Sequence, residues 1–244
     1  MKLLRRHKSV LLALGIYWPF LFWLTHIPVP ALARQSGMSD KSMHVLAYFA
    51  LAFLVWFAIS PYEKVRWRKI KVWLVIVAVV LYGVADELIQ GRVGRSADVM
   101  DFMADLFGVL LAMGVLSVFG FWSALLIVSA VFIFVLSDVS RLMTLSQYAV
   151  YATAFHFTAY TAITLIWIQW LERFSRFVCG KAGWLMASLA APAGLLLAVK
   201  AAAPIWDRPF NVFDFAIAGF GICAAIVVSW AVFKFSRRDS AFSE

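Results

Sequence analysis

Eight long apolar stretches, separated by short polar segments, make up most of this chain of 244 residues. Each is close to the ~20 residues that a helix needs to cross the hydrocarbon core of a bilayer. Because the bilayer interior offers no water to the backbone, such segments cross it as helices. The sequence therefore predicts an all-α, polytopic transmembrane helical bundle of about eight spans. The stretches cover approximately residues 10–27, 44–60, 72–90, 98–118, 121–137, 148–169, 184–203 and 210–233.

The basic residues are concentrated in alternate loops between these stretches. Lysine and arginine cluster at the N-terminus, in the loops at residues 64–71 and 173–181, and in the C-terminal tail. Since cytoplasmic loops carry the excess of lysine and arginine, this pattern predicts that both termini lie in the cytoplasm. Because the basic residues behind the net charge of +9 follow this membrane-topology pattern, the charge does not indicate nucleic-acid binding, and we expect no nucleic-acid partner.

The chain also contains an internal repeat at an offset of about 113 residues. Polar residues recur in the same order, which chance alignment of apolar helices does not reproduce. We therefore predict a first four-helix unit over residues 1–119 and a second, degenerate four-helix repeat over residues 120–244. Because four is an even number of spans, the two copies share one orientation in the membrane. The matched pairs include His44 and His156, Tyr48 and Tyr160, Arg95 and Arg208, Asp98 and Asn211, and Asp101 and Asp214.

A cluster of acidic residues interrupts the apolar sequence of the first unit. Charged groups in the hydrocarbon region cost several kcal/mol, so such a cluster indicates a functional site. The second unit carries apolar residues at most of the aligned positions, and the chemistry is therefore expected in the first unit. The acids are Asp86, Glu87, Asp98, Asp101 and Asp105. The aligned residues are Ala198 for Asp86, Val199 for Glu87, Ala202 for Gln90 and Ala218 for Asp105.

Helical spacing predicts which of these side chains meet. His44 and Tyr48 lie four residues apart, on one face of the second span. On the fourth span, acidic residues followed by the small residues Gly108 and Ala112 form a single stripe. Small residues let a neighbouring helix approach closely. Such an approach would bring a neighbouring span, for which the third is the candidate, up against the carboxylates of the fourth.

The candidate catalytic residues are acids, because adjacent carboxyl groups cannot all stay ionised and one of them can then exchange a proton. Glu87 is the preferred general acid or base. The arginines after the third span suit phosphate or pyrophosphate, which guanidinium groups bind through paired hydrogen bonds. The candidates are Glu87, Asp86, Asp101 and Asp105 for catalysis, and Arg92, Arg95, His44, Tyr48 and Gln90 for substrate binding.

Each assignment has an alternative. The arginines can pair with Asp98 and Asp101 and hold the helix ends. His44, as a lone histidine at a helix end, can be a hydrogen-bonded structural residue, and Tyr48 and Tyr82 can be interfacial anchors. Carboxylates with room for water suit Mg²⁺ or Ca²⁺, which prefer oxygen ligands. A carboxylate–arginine network or a shared proton accounts for the same acids, so the residues leave the cofactor open.

Four sequence blocks occur in order between residues 39 and 114. They are Ser39-Asp40-Lys41-x-x-His44-x-x-x-Tyr48-Phe49, Asp86-Glu87-x-x-Gln90, Gly94-Arg95-Ser96 and Asp101-x-x-Ala104-Asp105-x-x-Gly108. Together they resemble the VanZ-like family of bacterial membrane proteins, although that family usually has asparagine at the position of Asp105. The resemblance implies a small helical protein of the bacterial inner (cytoplasmic) membrane, linked to the cell envelope. It implies the site residues His44, Tyr48, Glu87, Gln90, Arg95 and Asp101.

The VanZ-like family takes its name from a member associated with resistance to the glycopeptide teicoplanin, whose target is a lipid-linked peptidoglycan precursor. We therefore expect recognition or processing of a lipid-linked phosphate or precursor at the periplasmic face, with membrane lipid and envelope-biosynthesis proteins as partners. The internal repeat leaves a proton-coupled transporter or flippase open. A non-enzymatic membrane partner of an envelope-assembly complex is a third alternative. The sequence does not decide whether the protein is an enzyme.

Overall fold

In a computed structural model of the protein, eight helices account for most of the described residues, and no strand occurs among them. Each helix coincides with one of the predicted apolar stretches, so the prediction of a helical membrane bundle is confirmed. The described residues are 2–26, 39–60, 62–90, 98–144, 149–174, 180–203 and 211–241. The helices are α1 (Lys2–His26), α2 (Asp40–Ile59), α3 (Ile70–Gln90), α4 (Val99–Val118), α5 (Phe121–Thr144), α6 (Ala149–Phe174), α7 (Gly180–Ala202) and α8 (Val212–Ala241).

Six of the helices, α2, α3, α4, α6, α7 and α8, are long and apolar enough to cross a membrane. Within the described residues, the apolar parts of the other two are shorter, at Val10–Phe22 in α1 and Phe121–Ser137 in α5. Large apolar side chains such as Leu74, Leu81 and Phe220 are exposed, as expected for surfaces that face lipid. The chain is therefore a multi-pass membrane protein, and the count of eight spans stays a prediction.

The residue contacts divide the chain into two compact units, Met1–Ala124 and Leu125–Glu244. In the first unit, α2 and α4 pack along each other, α3 lies against both, and α1 contacts α2 and α3. In the second unit, α6 and α8 pack along each other and α7 lies against both. Ile133 of α5 joins the core of the second unit, beside Tyr160 and Ile163. Each unit is thus built around one central helix pair.

The central pair of the first unit depends on a glycine. A Cβ atom on Gly108 of α4 would collide with the backbone oxygen of Val45 on α2. Ala112, one turn further along α4, is fully buried. The small stripe of α4 therefore packs on α2, a neighbour that the spacing did not identify. The third helix reaches the acidic part of the stripe instead, where Gly83 would place a Cβ 3.3 Å from Asp105 Oδ2.

A glycine has a similar place in the central pair of the second unit. A Cβ atom on Gly221 of α8 would lie 2.7 Å from the backbone oxygen of Phe157 on α6. The hydroxyl of Thr161 donates a hydrogen bond to the backbone oxygen of Gly221 at 3.2 Å. Both glycines bring two helix backbones into contact, as small residues do in membrane helix pairs.

Gly108→Ala is expected to destabilise the first unit, because the added methyl group must push α4 away from α2. Overpacking typically costs about 1–3 kcal/mol, so purified protein in detergent should unfold at a lower temperature. Gly114→Ala is the matched control on the same helix, since a Cβ there meets nothing within 4 Å. Equal unfolding temperatures for the two variants would contradict the packing described.

Candidate functional site

Five ionisable residues of the first unit are buried at the end of the bundle where α2 and α4 begin and α3 ends. Glu87 lies three residues before the end of α3, and Asp105 lies six residues after the start of α4. At a helical rise of about 1.5 Å per residue, these acids lie roughly 5–9 Å inside the helix ends. The five residues, which we call the acidic site, are His44, Asp86, Glu87, Asp101 and Asp105, and none is more than 7% exposed.

His44 connects the two buried acids of α4. Its Nδ1 lies 2.9 Å from Asp105 Oδ1, within hydrogen-bond distance, and its Nε2 lies 3.9 Å from Asp101 Oδ2. The two acids are four residues apart on α4 and therefore present their carboxylates on one face. The spacing predicted this acidic stripe, but it did not predict that a histidine of α2 would lie between its members.

Lys41 pairs with the outer acids of α4. Its ammonium nitrogen lies 3.0 Å from Asp98 Oδ2 and 3.2 Å from Asp101 Oδ1. Asp98 is also the N-cap of α4, because its carboxylate accepts a hydrogen bond from the backbone nitrogen of Met100 at 2.9 Å. The Met100 N–H and the Lys41 ammonium hold the pKa of Asp98 below its usual range. Lys41, which sequence reasoning did not single out, thus fills the role that one alternative assigned to the arginines.

Four buried polar atoms in and beside the acidic site have no hydrogen-bond partner among the described residues. They are Glu87 Oε1, Asp105 Oδ2 and the hydroxyl oxygens of Tyr48 and Tyr82. The other carboxylate oxygen of Glu87 accepts a hydrogen bond from the backbone nitrogen of Asp98 at 3.3 Å. A buried polar atom without a partner costs about 1–3 kcal/mol. These atoms therefore mark the part of the site where a ligand or a proton is expected.

Aromatic residues cover the acidic site on the side of α1. Tyr48 is fully buried, and its ring centroid lies 6.1 Å from that of Tyr82. Trp18 of α1 packs edge-on against Tyr82 at 5.4 Å. The hydroxyl of Tyr17 donates a hydrogen bond to the backbone oxygen of Ala47 at 2.9 Å, which ties α1 to α2. The interpretation of Tyr48 as an interfacial anchor is therefore wrong, and its ring instead shields the acids from lipid and water.

Three of the predicted substrate-binding residues lie outside what can be described. Arg92 and Arg95 fall in residues 91–97, which are not among the described residues. Gln90 is the last residue of α3, and its side chain is not described either. The other six predicted site residues are all buried in the first unit. Their shared location at one end of the bundle brings them together, and their roles stay predictions.

The second unit repeats part of this arrangement. His156 Nε2 lies 3.7 Å from Asp214 Oδ2, and both side chains are buried. Asn211 caps α8 by accepting a hydrogen bond from a backbone N–H at 2.9 Å. Ala218 is buried at the position that corresponds to Asp105. A histidine, one acid and a polar N-cap are thus common to both units.

The buried positions of α3 and α7 correct the predicted alignment of the repeat by one residue. Five of the seven described buried positions of α3 align with buried positions of α7 at an offset of 113 residues, whereas the predicted pairing of Glu87 with Val199 used an offset of 112. Glu87 accepts from the backbone nitrogen of the residue that caps α4, and Lys200 donates to the backbone oxygen of Asn211, which caps α8, at 3.5 Å. A buried lysine therefore stands where the first unit has a buried glutamate. The matched residues are Val75, Val79, Gly83, Asp86 and Glu87 in α3, and Ser188, Pro192, Leu196, Val199 and Lys200 in α7.

A cavity of about 620 Å³ lies at the opposite end of the first unit, at the loop between α2 and α3. The described residues that line it are mostly polar or basic, with Glu63 as their only acid and no histidine. The ammonium groups of Lys71 and Lys69, 2.6 and 3.2 Å from Glu63 Oε2, hold the pKa of Glu63 below its usual range. Because this acid is exposed and already paired, the acidic site is the better candidate for chemistry.

Comparison of the chain with models of known protein families, with curated proteins and with solved structures finds no match. The resemblance to the VanZ-like family therefore stays a prediction that rests on the four sequence blocks.

Asp98 is expected to stabilise the protein in a pH-dependent way. Its pKa is lowered in the folded state. Its contribution is therefore present above the unfolded-state pKa of about 4 and is lost as the pH falls through the folded-state pKa. Thermal unfolding of Asp98→Asn should differ most from the wild type near neutral pH, and the difference should shrink below about pH 4.

Asn211→Ala is the control for this measurement, because it removes an uncharged N-cap. Its effect on the unfolding temperature should not depend on pH. A difference between Asp98→Asn and the wild type that stays constant from neutral to acid pH would show that the charge of Asp98 contributes nothing.

Proposed function

We propose that the first unit is VanZ-like and binds the phosphate headgroup of a polyprenyl- or glycerol-linked lipid at the outer face of the bacterial inner membrane. The observation that carries this proposal is the burial of His44, Glu87 and Asp105 just inside one end of an apolar bundle. The segment that joins α3 to α4 at this end carries Arg92 and Arg95. The guanidinium groups would bind phosphate oxygens through paired hydrogen bonds. The acids and the histidine would hold a metal ion or a proton beside the headgroup.

The distribution of basic residues supports an outward orientation of the acidic site. The loop between α2 and α3 lies at the other end of the first unit and is strongly basic. Cytoplasmic loops are the ones that carry an excess of lysine and arginine, so the acidic site would face the periplasm. The basic residues of the loop are Lys64, Arg66, Arg68, Lys69 and Lys71.

The surface beside the acidic site suits a lipid tail. Val99, Met103 and Phe107 are exposed apolar residues along the first turns of α4, and Leu88 is exposed near the end of α3. Since the acids lie only a short distance inside the helix ends, a ligand can place a polar head at the site and leave its chain in the bilayer. The position of the buried acids beside exposed apolar residues favours a lipid-linked phosphate over a small water-soluble phosphate.

We further infer that the two units arose by duplication, with one shared orientation over eight spans, and that the first unit alone keeps the full site. The histidine–aspartate contact and the glycine contact found in each unit support this inference. Ala218 and Lys200 stand at the positions of Asp105 and Glu87. Parallel repeats are typical of carriers, so a proton-coupled transporter or flippase is the second candidate function.

Arg92→Gln combined with Arg95→Gln is expected to weaken binding of a long-chain polyprenyl phosphate by at least about tenfold, since a hydrogen bond to a charged group contributes about 1.5–3 kcal/mol. Native mass spectrometry of the protein in nanodiscs measures the bound fraction. Arg66→Gln combined with Arg68→Gln is the matched control at the opposite end of the unit and should bind like the wild type. Wild-type affinity in the first double variant would contradict the proposed function.

Glu87→Gln is expected to separate an enzyme from a carrier, because an amide does not exchange a proton as a carboxyl group does. In an enzyme, the variant should still bind a polyprenyl pyrophosphate but lose the release of inorganic phosphate. In a carrier, it should uncouple the movement of the lipid across proteoliposomes from a pH gradient. Glu63→Gln, an acid at the other end of the unit, is the control and should behave like the wild type. Wild-type rates for Glu87→Gln in both assays would exclude Glu87 from proton transfer.

A further inference from the structure

We propose that His44, Glu87 and Asp105 form a binding site for one divalent transition-metal ion, such as zinc or manganese, and that the second unit has no such site. A histidine nitrogen distinguishes this site from the oxygen-only sites that Mg²⁺ and Ca²⁺ prefer. The proposal goes beyond headgroup recognition, because it concerns ligands that the chain supplies whether or not a lipid binds.

The three side chains present ligand atoms at distances that one ion can bridge. One ligand atom from each lies within 4.8 Å of the other two. Two ligands on bonds of about 2.0–2.2 Å lie about 3 Å apart at a right angle and at most about 4.4 Å apart on opposite sides of the ion, so binding would draw the more distant ligand atoms closer together. His44 Nδ1 and Asp105 Oδ1 are already 2.9 Å apart. Neighbouring ligands at a right angle have about this separation when their bonds are about 2.1 Å long.

Unpartnered carboxylate oxygens supply a second, independent observation. Asp105 is 2% exposed and Glu87 is 7% exposed. Each has one carboxylate oxygen that accepts no hydrogen bond from the described part of the chain. Buried polar atoms in native proteins are nearly always hydrogen-bonded. One metal ion would supply a partner for Glu87 Oε1, and also for Asp105 Oδ2 when the Asp105 carboxylate binds through both of its oxygens.

The charges around these residues also favour a bound cation. Lys41 pairs with the outer acids of α4, so His44 is the basic group in contact with Asp105 among the described residues. Two ionised carboxylates and a neutral imidazole around a doubly charged ion sum to zero charge. Without a cation or a proton, two buried carboxylates are strongly destabilising. Asp40, His44 and Asp101 form another set at comparable distances, but Lys41 already supplies the cation there.

The orientation of the His44 ring is compatible with a metal ligand. With Nδ1 on the ion, Nε2 carries the proton and faces Asp101 Oδ2 at 3.9 Å. A metal-bound histidine usually directs its second N–H toward a carboxylate, which fixes its tautomer. Lys41 in turn holds the Asp101 carboxylate at 3.2 Å. Asp101 is therefore a positioning residue, and Lys41 keeps it in place.

The second unit keeps the histidine and its orienting acid but lacks both carboxylate ligands. His156 and Asp214 retain a contact of 3.7 Å. Ala218 and Lys200 occupy the positions of the two carboxylates, and both residues are buried. A lysine side chain offers no carboxylate oxygen to a metal ion, and its ammonium form repels one. The second unit is therefore a natural control within the same chain.

Metal titration of the full-length chain tests the proposal. Protein purified in detergent is stripped with a chelator and titrated separately with Zn²⁺, Mn²⁺, Co²⁺, Mg²⁺ and Ca²⁺. We expect one Zn²⁺ or Co²⁺ per chain with micromolar or tighter affinity, ligand-field bands from bound Co²⁺, and far weaker binding of Mg²⁺ and Ca²⁺. No uptake of a transition metal, or a preference for Mg²⁺ or Ca²⁺, would overturn the proposal.

Glu87→Gln and Asp105→Asn should each weaken Co²⁺ binding by at least about 100-fold, because even the loss of outer-shell partners costs about 10–100-fold in metal affinity. Asp214→Asn, in the second unit, is the matched control and should still bind one ion. Unchanged Co²⁺ binding in the double variant Glu87→Gln/Asp105→Asn, or its loss in Asp214→Asn, would overturn the assignment.

If a variant of a metal-ligand residue does not fold, the spectrum of Co²⁺ bound to the wild-type protein tests whether the metal site exists. Bands typical of an ion with nitrogen and oxygen ligands support the site, and their absence overturns it. Polyprenyl phosphate binding is measured in the same preparations with and without metal. This separates the failure of the metal site from the failure of the proposed function.

Discussion

The contact between α2 and α4 at Gly108 determines where the polar groups of the first unit lie. The backbone oxygen of Val45 rests where a side chain of Gly108 would be. His44, the preceding residue, is thereby brought against Asp105 and Asp101, which lie on the same stripe of α4. The packing that joins the two helices thus also buries the acids. In that low-dielectric interior, each charge depends on a close partner or a proton.

The two units share their packing but differ in charge. Both have a histidine–aspartate contact, a polar N-cap and a close glycine contact in the central helix pair. The first unit has Glu87 and Asp105, whereas the second has the buried residues Lys200 and Ala218 at these positions. The exchange of Glu87 for Lys200 removes a carboxylate from a position that is buried in both units. For this reason we assign the chemistry to the first unit.

The helices were predictable from hydropathy, because a membrane span must be apolar over a fixed length. Spacing along α4 also predicted that Asp101, Asp105 and Gly108 share one stripe. Several helices could pack against such a stripe, and only the tertiary structure determines that the neighbour is α2. The pairing of Lys41 with Asp98 was missed because the two are 57 residues apart. Lys200 was missed because a one-residue shift of an apolar helix hardly changes its hydropathy, so only contacts fix its register.

A photoreactive analogue of a polyprenyl phosphate, with the reactive group beside the phosphate, most directly tests whether one site in the first unit receives the headgroup. The protein is irradiated with the analogue in nanodiscs, and peptide mass spectrometry identifies the labelled residues. Labels are expected in residues 39–48, where α2 begins, and in residues 90–107, which include Arg92, Arg95 and the start of α4. Labels confined to the second unit, or to the basic loop at residues 62–71, would contradict the assignment.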